Sequence, residues 1–272
     1  MEKTPAFGHM DVERSMNVNR RTAFGVFAAL AVTPKQALSK VPQPYQVSLV
    51  SGGNVDGFWQ AGVLVELEKD WKTYWRNPGD AGIPPQFDWS ASRNVGSVDV
   101  LYPVPVRFRD ASGEAIGYHD RVLFPVVVKA ADPKKLVEIK LKMFFAVCQT
   151  VCIPASAELK SELNVTSSNM LISEALQRVP VKNAESSIAT NPRFDMLDGK
   201  PALAMTLSKA LVDIFVETDS PVYFGQPRFD VKQGEAWIPL GNVKDVNSLR
   251  NKPLKLTMSL GDKGIEEIVA VN

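Results

Sequence analysis

Two cysteines, Cys148 and Cys152, are the residues of this 272-residue sequence best suited to carry chemistry, and it has no other cysteine. A thiolate can attack a disulfide of a partner molecule, and a second thiol nearby can then resolve the mixed disulfide within the same chain. Two cysteines are too few for a disulfide-stapled framework and too closely spaced for a zinc site without further ligands. The spacing favours a redox pair that alternates between dithiol and disulfide.

Two other interpretations of the cysteine pair stay open at this point. A disulfide across so short a loop is a weak staple, worth about 2 kcal/mol in the chain-entropy model, but an inert disulfide fits the same sequence. Alternatively, Cys148 and Cys152 bind Cu(I) together with Met143 or His119, because soft metals select thiolate and thioether ligands. The protein would then be a periplasmic copper-binding or copper-tolerance accessory.

The composition excludes several other classes of function. Lys and Arg number 31 against 30 Asp and Glu, for a net charge of +1, so no global field exists to hold nucleic acid or an anionic membrane. Phosphate-binding glycine loops are absent from the sequence, and the acidic residues mostly alternate with apolar ones as solvated strand faces. We expect no cofactor, no nucleic-acid partner and no catalytic carboxylate pair.

Alternating apolar and polar residues predict the strands that must position the two thiols. The pattern is clearest at 63–67 and 137–143, and the more continuously apolar segment 122–128 contains Pro125, which predicts a sheet edge or a bulge. Further strands are predicted at 203–207, 214–216, 254–258 and 268–271. Many short strands separated by turns predict an all-β protein of the β-sandwich class.

A segment rich in Ser and Asn, 167–189, predicts a linker between two β domains, with a short helix at 171–178 that ends before Pro180. The predicted domains are 40–166, which carries the cysteines, and 190–272, which has none. A faint internal repeat at an offset of 121 residues supports two domains. Its matching residues are Tyr102, Arg107, Phe108, Gly113, Glu114 and Ala115 with Tyr223, Arg228, Phe229, Gly234, Glu235 and Ala236.

The N-terminal 39 residues are predicted to be a signal peptide. Arg20 and Arg21 precede an apolar run at 23–32, which is too short to span a bilayer but suits the core of an export signal. Small residues at Ala37 and Ser39 allow cleavage before Lys40, and the polar start of the chain makes Met16 an alternative first residue. We expect Sec or twin-arginine export to the periplasm; a short buried or amphipathic helix is the alternative.

Three motifs in fixed order form a recognisable set: 70–75 (Asp-Trp-Lys-Thr-Tyr-Trp), 117–126 (Gly-Tyr-His-Asp-Arg-Val-Leu-Phe-Pro-Val) and the cysteine segment 148–154. The stretch 71–163 resembles the N-terminal periplasmic domain of the thiol:disulfide interchange protein DsbD and its relative ScsB. The run 71–85 is especially similar to the ScsB branch. The resemblance implies two immunoglobulin-like β-sandwich domains in tandem if the second β region is the companion domain of that branch.

The resemblance also implies a function and roles for the cysteines. The protein would be a thiol:disulfide oxidoreductase that takes electrons from a membrane-embedded donor of the DsbD type, here a separate polypeptide, and passes them to oxidised periplasmic thiol proteins. Cys152 would be the nucleophile that forms the mixed disulfide, and Cys148 the resolving thiol. The mature chain itself is expected not to span a membrane, because no later stretch approaches eighteen apolar residues.

Aromatic residues are implied to surround the pair. By the resemblance, Trp71, Tyr74 and Tyr118 line the cysteine site, and the loop 108–117, with Phe108 at its base, takes the place of a flexible cap. Fewer residues separate the cysteines than in DsbD, and the cap has no aromatic residue at its tip. A β-sandwich that serves only as a non-catalytic interaction module is a third possibility.

Overall fold

The computed structural model describes residues 43–79, 82–110, 113–164, 169–182, 187–243 and 245–272. The predicted signal peptide and the alternative start Met16 lie outside the described residues. Among the described residues, strands dominate, as the alternating sequence pattern predicts. Below, the strands are numbered β1 to β19 in chain order.

The first half of the chain is an antiparallel β-sandwich. One sheet has the strand order β1-β2-β8-β5, and the other has the order β10-β9-β3-β7-β6 with β4 beside β9. Between the sheets lies a hydrophobic core that includes the fully buried Trp75, Phe124 and Phe145. The strands are β1 (Tyr45–Val55), β2 (Phe58–Leu67), β3 (Lys72–Gly79), β4 (Gln86–Asp88), β5 (Val95–Val100), β6 (Val106–Asp110), β7 (Gly113–His119), β8 (Arg121–Ala130), β9 (Val137–Cys148) and β10 (Cys152–Leu163).

The second half forms another sandwich with its own core, which includes the buried side chains of Leu203, Met205 and Leu256. Its sheets have the orders β11-β19-β18-β14 and β12-β13-β17-β15, with β16 beside β17. The predicted all-β fold of tandem immunoglobulin-like sandwiches is confirmed. The strands are β11 (Val181–Lys182), β12 (Ala189–Leu197), β13 (Lys200–Leu207), β14 (Asp213–Glu217), β15 (Tyr223–Phe224), β16 (Arg228–Asp230), β17 (Glu235–Gly241), β18 (Leu254–Ser259) and β19 (Gly264–Val269).

Strand β8 contradicts the prediction of an edge or bulge at Pro125. The strand lies between β2 and β5, and its pairing with β2 continues through Pro125 without a register shift. The carbonyl of Pro125 accepts a hydrogen bond from the backbone of Leu101, just past the end of β5 at Val100. Because the N and C=O of one strand residue point to the same side, the nitrogen without a proton also faces this strand end. Proline is tolerated here because its missing N–H falls where the neighbouring strand stops.

Helix α1 (Met170–Gln177) confirms the short helix predicted between the two β regions. The side chain of Asn169 caps it by accepting a hydrogen bond from the Leu171 N–H. Its buried residues, Ile172 and Ala175, pack against the outer face of β2 and β8. Among the described residues, no helix has the length and apolar character needed to cross a bilayer.

The residues of the internal repeat occupy equivalent hairpins in the two halves. In the β6–β7 hairpin Phe108 pairs with Ala115, and in the β16–β17 hairpin Phe229 pairs with Ala236. Both pairs keep the offset of 121 residues found in the sequence. The repeat therefore marks the same strand pairing twice, once beside the cysteines and once in the half that has none.

An ionic cluster joins the two halves. The Arg107 guanidinium donates to Glu114 on β7 at 2.6 Å and to Asp213 on β14 at 3.0 Å, and lies over the ring of Phe215. Glu114 also accepts hydrogen bonds from Tyr223 and Arg109. Burial opposes ionisation of Glu114, but the hydrogen bond from Tyr223 and the charge of Arg107 outweigh it, so the pKa of this carboxyl lies below its usual value.

A second arginine also joins the two halves of the chain. Arg76, in the middle of β3, donates to Glu217 at 2.7 Å and to Glu266, and its guanidinium lies 4.5 Å from the centre of the Trp75 ring. Phe215 of the second half packs against Trp75 and belongs to the core of the first half. The two sandwiches therefore share a continuous polar and apolar contact.

Replacement of Arg107 by Met should lower the free energy of unfolding by about 3 kcal/mol, because it leaves buried carboxylates without their cation. The matched control is Arg109→Met, which removes another ion pair of the same Glu114. The Arg109 side chain is 71% exposed, against 6% for Arg107, so this change should cost about 1 kcal/mol or less. Urea unfolding of both variants measures the difference. Equal losses of unfolding free energy in the two variants would show that the burial of Arg107 contributes no extra stability.

Candidate functional site

The β9–β10 hairpin brings the two cysteines face to face. The antiparallel register runs without a shift from Val137 opposite Leu163 to Cys148 opposite Cys152. The cysteines form a disulfide, with their Cα atoms 4.1 Å apart. Alternating apolar side chains direct one face of β9 into the core, and this pattern fixes the register. The disulfide therefore lies at the end of a sheet, where the hairpin turns.

The two cysteines differ in their access to solvent. Cys148 is only 1% exposed and packs in a small cluster with Tyr74, Ala115 and Ala146. Cys152 is exposed at the first position of β10. An attacking thiolate from another protein can therefore approach Cys152 but not Cys148.

Tyr74 on β3 contacts the disulfide directly. Its hydroxyl lies 3.2 Å from the Sγ of Cys152, and since a disulfide sulfur has no proton, the hydroxyl donates. Burial raises the pKa of Tyr74, which keeps the donor protonated. Gly117 faces Tyr74 across the strands, and a Cβ at Gly117 would lie 2.0 Å from the Thr73 carbonyl oxygen. Glycine at this position allows β7 to approach β3 closely enough to support Tyr74.

The segment expected to be a flexible cap loop, 108–117, is instead largely a β-hairpin. Strands β6 and β7 pair from Val106 opposite Gly117 to Asp110 opposite Gly113. Phe108 on β6 is partly buried against the cluster around Cys148. Phe108, expected at the base of the cap, therefore lies beside the Cys148 cluster, and regular strand pairing holds it in place.

Lys72 is a site residue that the sequence analysis missed. Strand β3 places it directly opposite Cys148 on β9 and opposite His119 on β7. The residue is 6% exposed, and its Nζ lies 4.8 Å from the centre of the Phe108 ring. Burial lowers the pKa of Lys72. The sequence could have indicated its place at the site, because Lys72 is two residues from Tyr74 and residues two apart on a strand share a face.

The other two predicted aromatic residues of the site lie elsewhere. Trp71 is half-buried and packs against the core of the first sandwich. Tyr118 is buried in that core against Phe124, and its hydroxyl donates to the carbonyl of Pro103 at 2.8 Å. Neighbouring residues on a strand face opposite ways, so Tyr118 points away from the face that carries Gly117 and His119.

The ligand set proposed for Cu(I) does not come together. Met143 is buried in the main core, on the face of β9 opposite to that of Cys148. His119 is separated from Cys148 by the strand that carries Lys72, whose positive charge disfavours a cation between them. Across the described ranges, no group of three or more His, Cys, Asp or Glu side chains is arranged to hold a metal ion.

These features define a β-sandwich protein with a half-exposed disulfide at the end of a hairpin. Residues 35–164 match the family model of the N-terminal domain of the thiol:disulfide interchange protein DsbD. The chain also resembles the crystal structure of the N-terminal periplasmic domain of ScsB from Proteus mirabilis, with a TM-score of 0.66 and 20% sequence identity over 85% of this chain and 94% of that chain. A search of curated proteins gave no match. The predicted resemblance is confirmed: the first sandwich matches the model of the DsbD N-terminal domain and carries the disulfide-linked cysteine pair.

Replacement of Tyr74 by Phe should raise the thiol pKa of Cys152 by about one unit, because a hydroxyl donor to the thiolate is lost while the ring stays. The measurement is the pH dependence of Cys152 alkylation in the reduced protein with Cys148→Ser. Tyr118→Phe is the matched control, since its hydroxyl bonds Pro103 in the core, and it should leave the alkylation profile unchanged. Identical profiles with and without the Tyr74→Phe change would contradict a role for the hydroxyl.

Proposed function

We propose that this protein is a periplasmic thiol:disulfide oxidoreductase that carries reducing equivalents through Cys148 and Cys152. Its donor would be a membrane-embedded protein of the DsbD type, and its acceptors would be oxidised periplasmic thiol proteins. The observation that carries the proposal is the asymmetry of the disulfide, with Cys152 exposed and Cys148 buried. The match of residues 35–164 to the DsbD N-terminal domain supports it, and the ScsB domain of similar fold is described as periplasmic.

Reduction of an acceptor proceeds in two exchange steps. The Cys152 thiolate attacks one sulfur of the acceptor disulfide, which forms a mixed disulfide and releases the second acceptor sulfur as a thiolate. The Cys148 thiolate then attacks the Sγ of Cys152, which forms the Cys148–Cys152 disulfide and releases the first acceptor sulfur. Two electrons pass to the acceptor, whose thiolates take up protons from solvent.

The donor restores the dithiol by the same chemistry in reverse. A donor thiolate attacks the exposed Sγ of Cys152, and the electron pair of the broken bond leaves on Cys148. The second donor thiol then attacks the mixed disulfide and releases Cys152. Both half-reactions use Cys152 as the intermolecular sulfur, in agreement with its exposure and with the burial of Cys148.

The surface around Cys152 suits a protein partner. Val151 is 70% exposed and Ile153 is 40% exposed, so two apolar side chains flank the accessible cysteine. Apolar surface next to a reactive group gives a partner protein area to bury while the sulfurs exchange. This surface supports a protein rather than a small thiol as the acceptor.

The redox midpoint of the pair tests the function first. In a glutathione series with metal excluded, we expect a midpoint between about −120 and −270 mV, the range of proteins that exchange disulfides. Thiol alkylation followed by mass spectrometry of the purified protein measures it. A pair that resists reduction well below about −300 mV would be an inert staple, and the proposal would be wrong.

The two cysteines should give opposite results in a trapping experiment. The reduced Cys148→Ser protein should accumulate a mixed disulfide with an oxidised thioredoxin-like protein, because Cys152 attacks and the resolving thiol of Cys148 is missing. The matched Cys152→Ser protein should trap little or none, since Cys148 is 1% exposed. Non-reducing electrophoresis measures both, and equal trapping would contradict the assigned roles.

A further inference from the structure

A row of side chains crosses the sheet beside the disulfide. Cys152 on β10 is paired with Cys148 on β9, Cys148 with Lys72 on β3, and Lys72 with His119 on β7. Residues directly opposite each other in an antiparallel pair have their Cβ atoms about 5 Å apart and share a face. Lys72 is therefore the immediate neighbour of Cys148 on the side away from Cys152.

The environment of Lys72 is largely closed to water. The side chain is 6% exposed, and Phe108 lies over its ammonium, with the Nζ 4.8 Å from the ring centre. Burial lowers the pKa of Lys72 because the ammonium loses hydration there. A thiolate on Cys148 would supply a negative charge at the position directly opposite Lys72 on the neighbouring strand, in a poorly solvated site where attraction is stronger than in water.

We propose that Lys72 is a positioning residue of the exchange reaction, whose ammonium holds Cys148 as a thiolate. The proposal rests on the exchange function described above and assigns a role within it. During reduction by the donor, the Cys148–Cys152 bond breaks, the donor sulfur bonds to Cys152, and the electron pair leaves on Cys148 beside Lys72. During transfer to an acceptor, the same thiolate attacks the Sγ of Cys152.

Other ionisable groups surround this position and act on the same titration. Tyr74 lies two residues along β3, His119 lies on β7, and Cys152 lies on β10. Strand β6 places the ring of Phe108 against the Lys72 ammonium. Of Lys72, Tyr74 and His119, Lys72 is the residue that pairs directly with Cys148 in the strand register.

The test is the thiol pKa of Cys148, read from the ultraviolet absorbance of its thiolate in the Cys152→Ser protein. Absorbance is the right probe because Cys148 is too buried for alkylating reagents. With Lys72 present we expect a pKa below the free value of about 8.5, and Lys72→Met should raise it by at least about one unit. Lys72→Arg should keep it low, since the positive charge remains.

Two further variants separate charge from structure. Lys142→Met, on the same strand as Cys148 and 63% exposed, is the matched control and should not change the Cys148 pKa. Lys72→Gln is measured beside Lys72→Met, with circular dichroism on each, so that a folded neutral variant is available. In the cysteine-intact protein, the neutral variants should also be reduced more slowly by glutathione, because the leaving thiolate is less stable.

The outcomes are distinct from those that test the function. An unchanged Cys148 pKa in the folded neutral variants would overturn the role of Lys72 and leave the exchange function intact. A pair that never exchanges with partners would overturn the function, whereas the pKa comparison needs no partner. A Cys148 pKa that rises equally in Lys72→Arg and Lys72→Met would assign the effect to packing and contradict the charge.

Discussion

The unbroken register between β9 and β10 is the constraint on which the site depends. The two strands pair without a register shift from Val137–Leu163 to Cys148–Cys152. Both cysteines therefore lie on one face at the end of the sheet. A slip of one residue would send one strand's side chains to the opposite face and separate the sulfurs. The core contacts of β9 therefore set the disulfide geometry from a distance, and the short turn needs only to close the hairpin.

Strand β3 connects this hairpin to the rest of the molecule. Its side chains at Lys72 and Tyr74 face the disulfide, whereas Trp75 enters the core and meets Phe215 of the second half. Farther along, Arg76 binds carboxylates of the second half. Strand β3 thus contributes both to the disulfide site and to the contact between the sandwiches, which gives the second half a structural link to the site although it has no cysteine.

Much of the fold could be predicted because alternation is a local property. The strands at 137–143 and 203–207 and the helix before Pro180 follow from residue periodicity and breaker residues. The prediction for Pro125 was wrong because its missing N–H faces the end of β5, and strand order is not a local property. The cap was expected to be a loop because the resemblance to DsbD implies one, whereas β6 and β7 pair across most of this segment.

The sequence by itself determined the cysteine pair, the β-sandwich class and, through family resemblance, the place of Tyr74 at the site. Only the tertiary structure decided that Cys148 is buried while Cys152 is exposed, that Lys72 is the neighbour of Cys148, and that Trp71 and Tyr118 belong to the core. The physical reason is that burial and cross-strand contact depend on which strands pair and in what register. Those pairings join residues such as Lys72 and Cys148 that are far apart in the chain, and no local pattern records them.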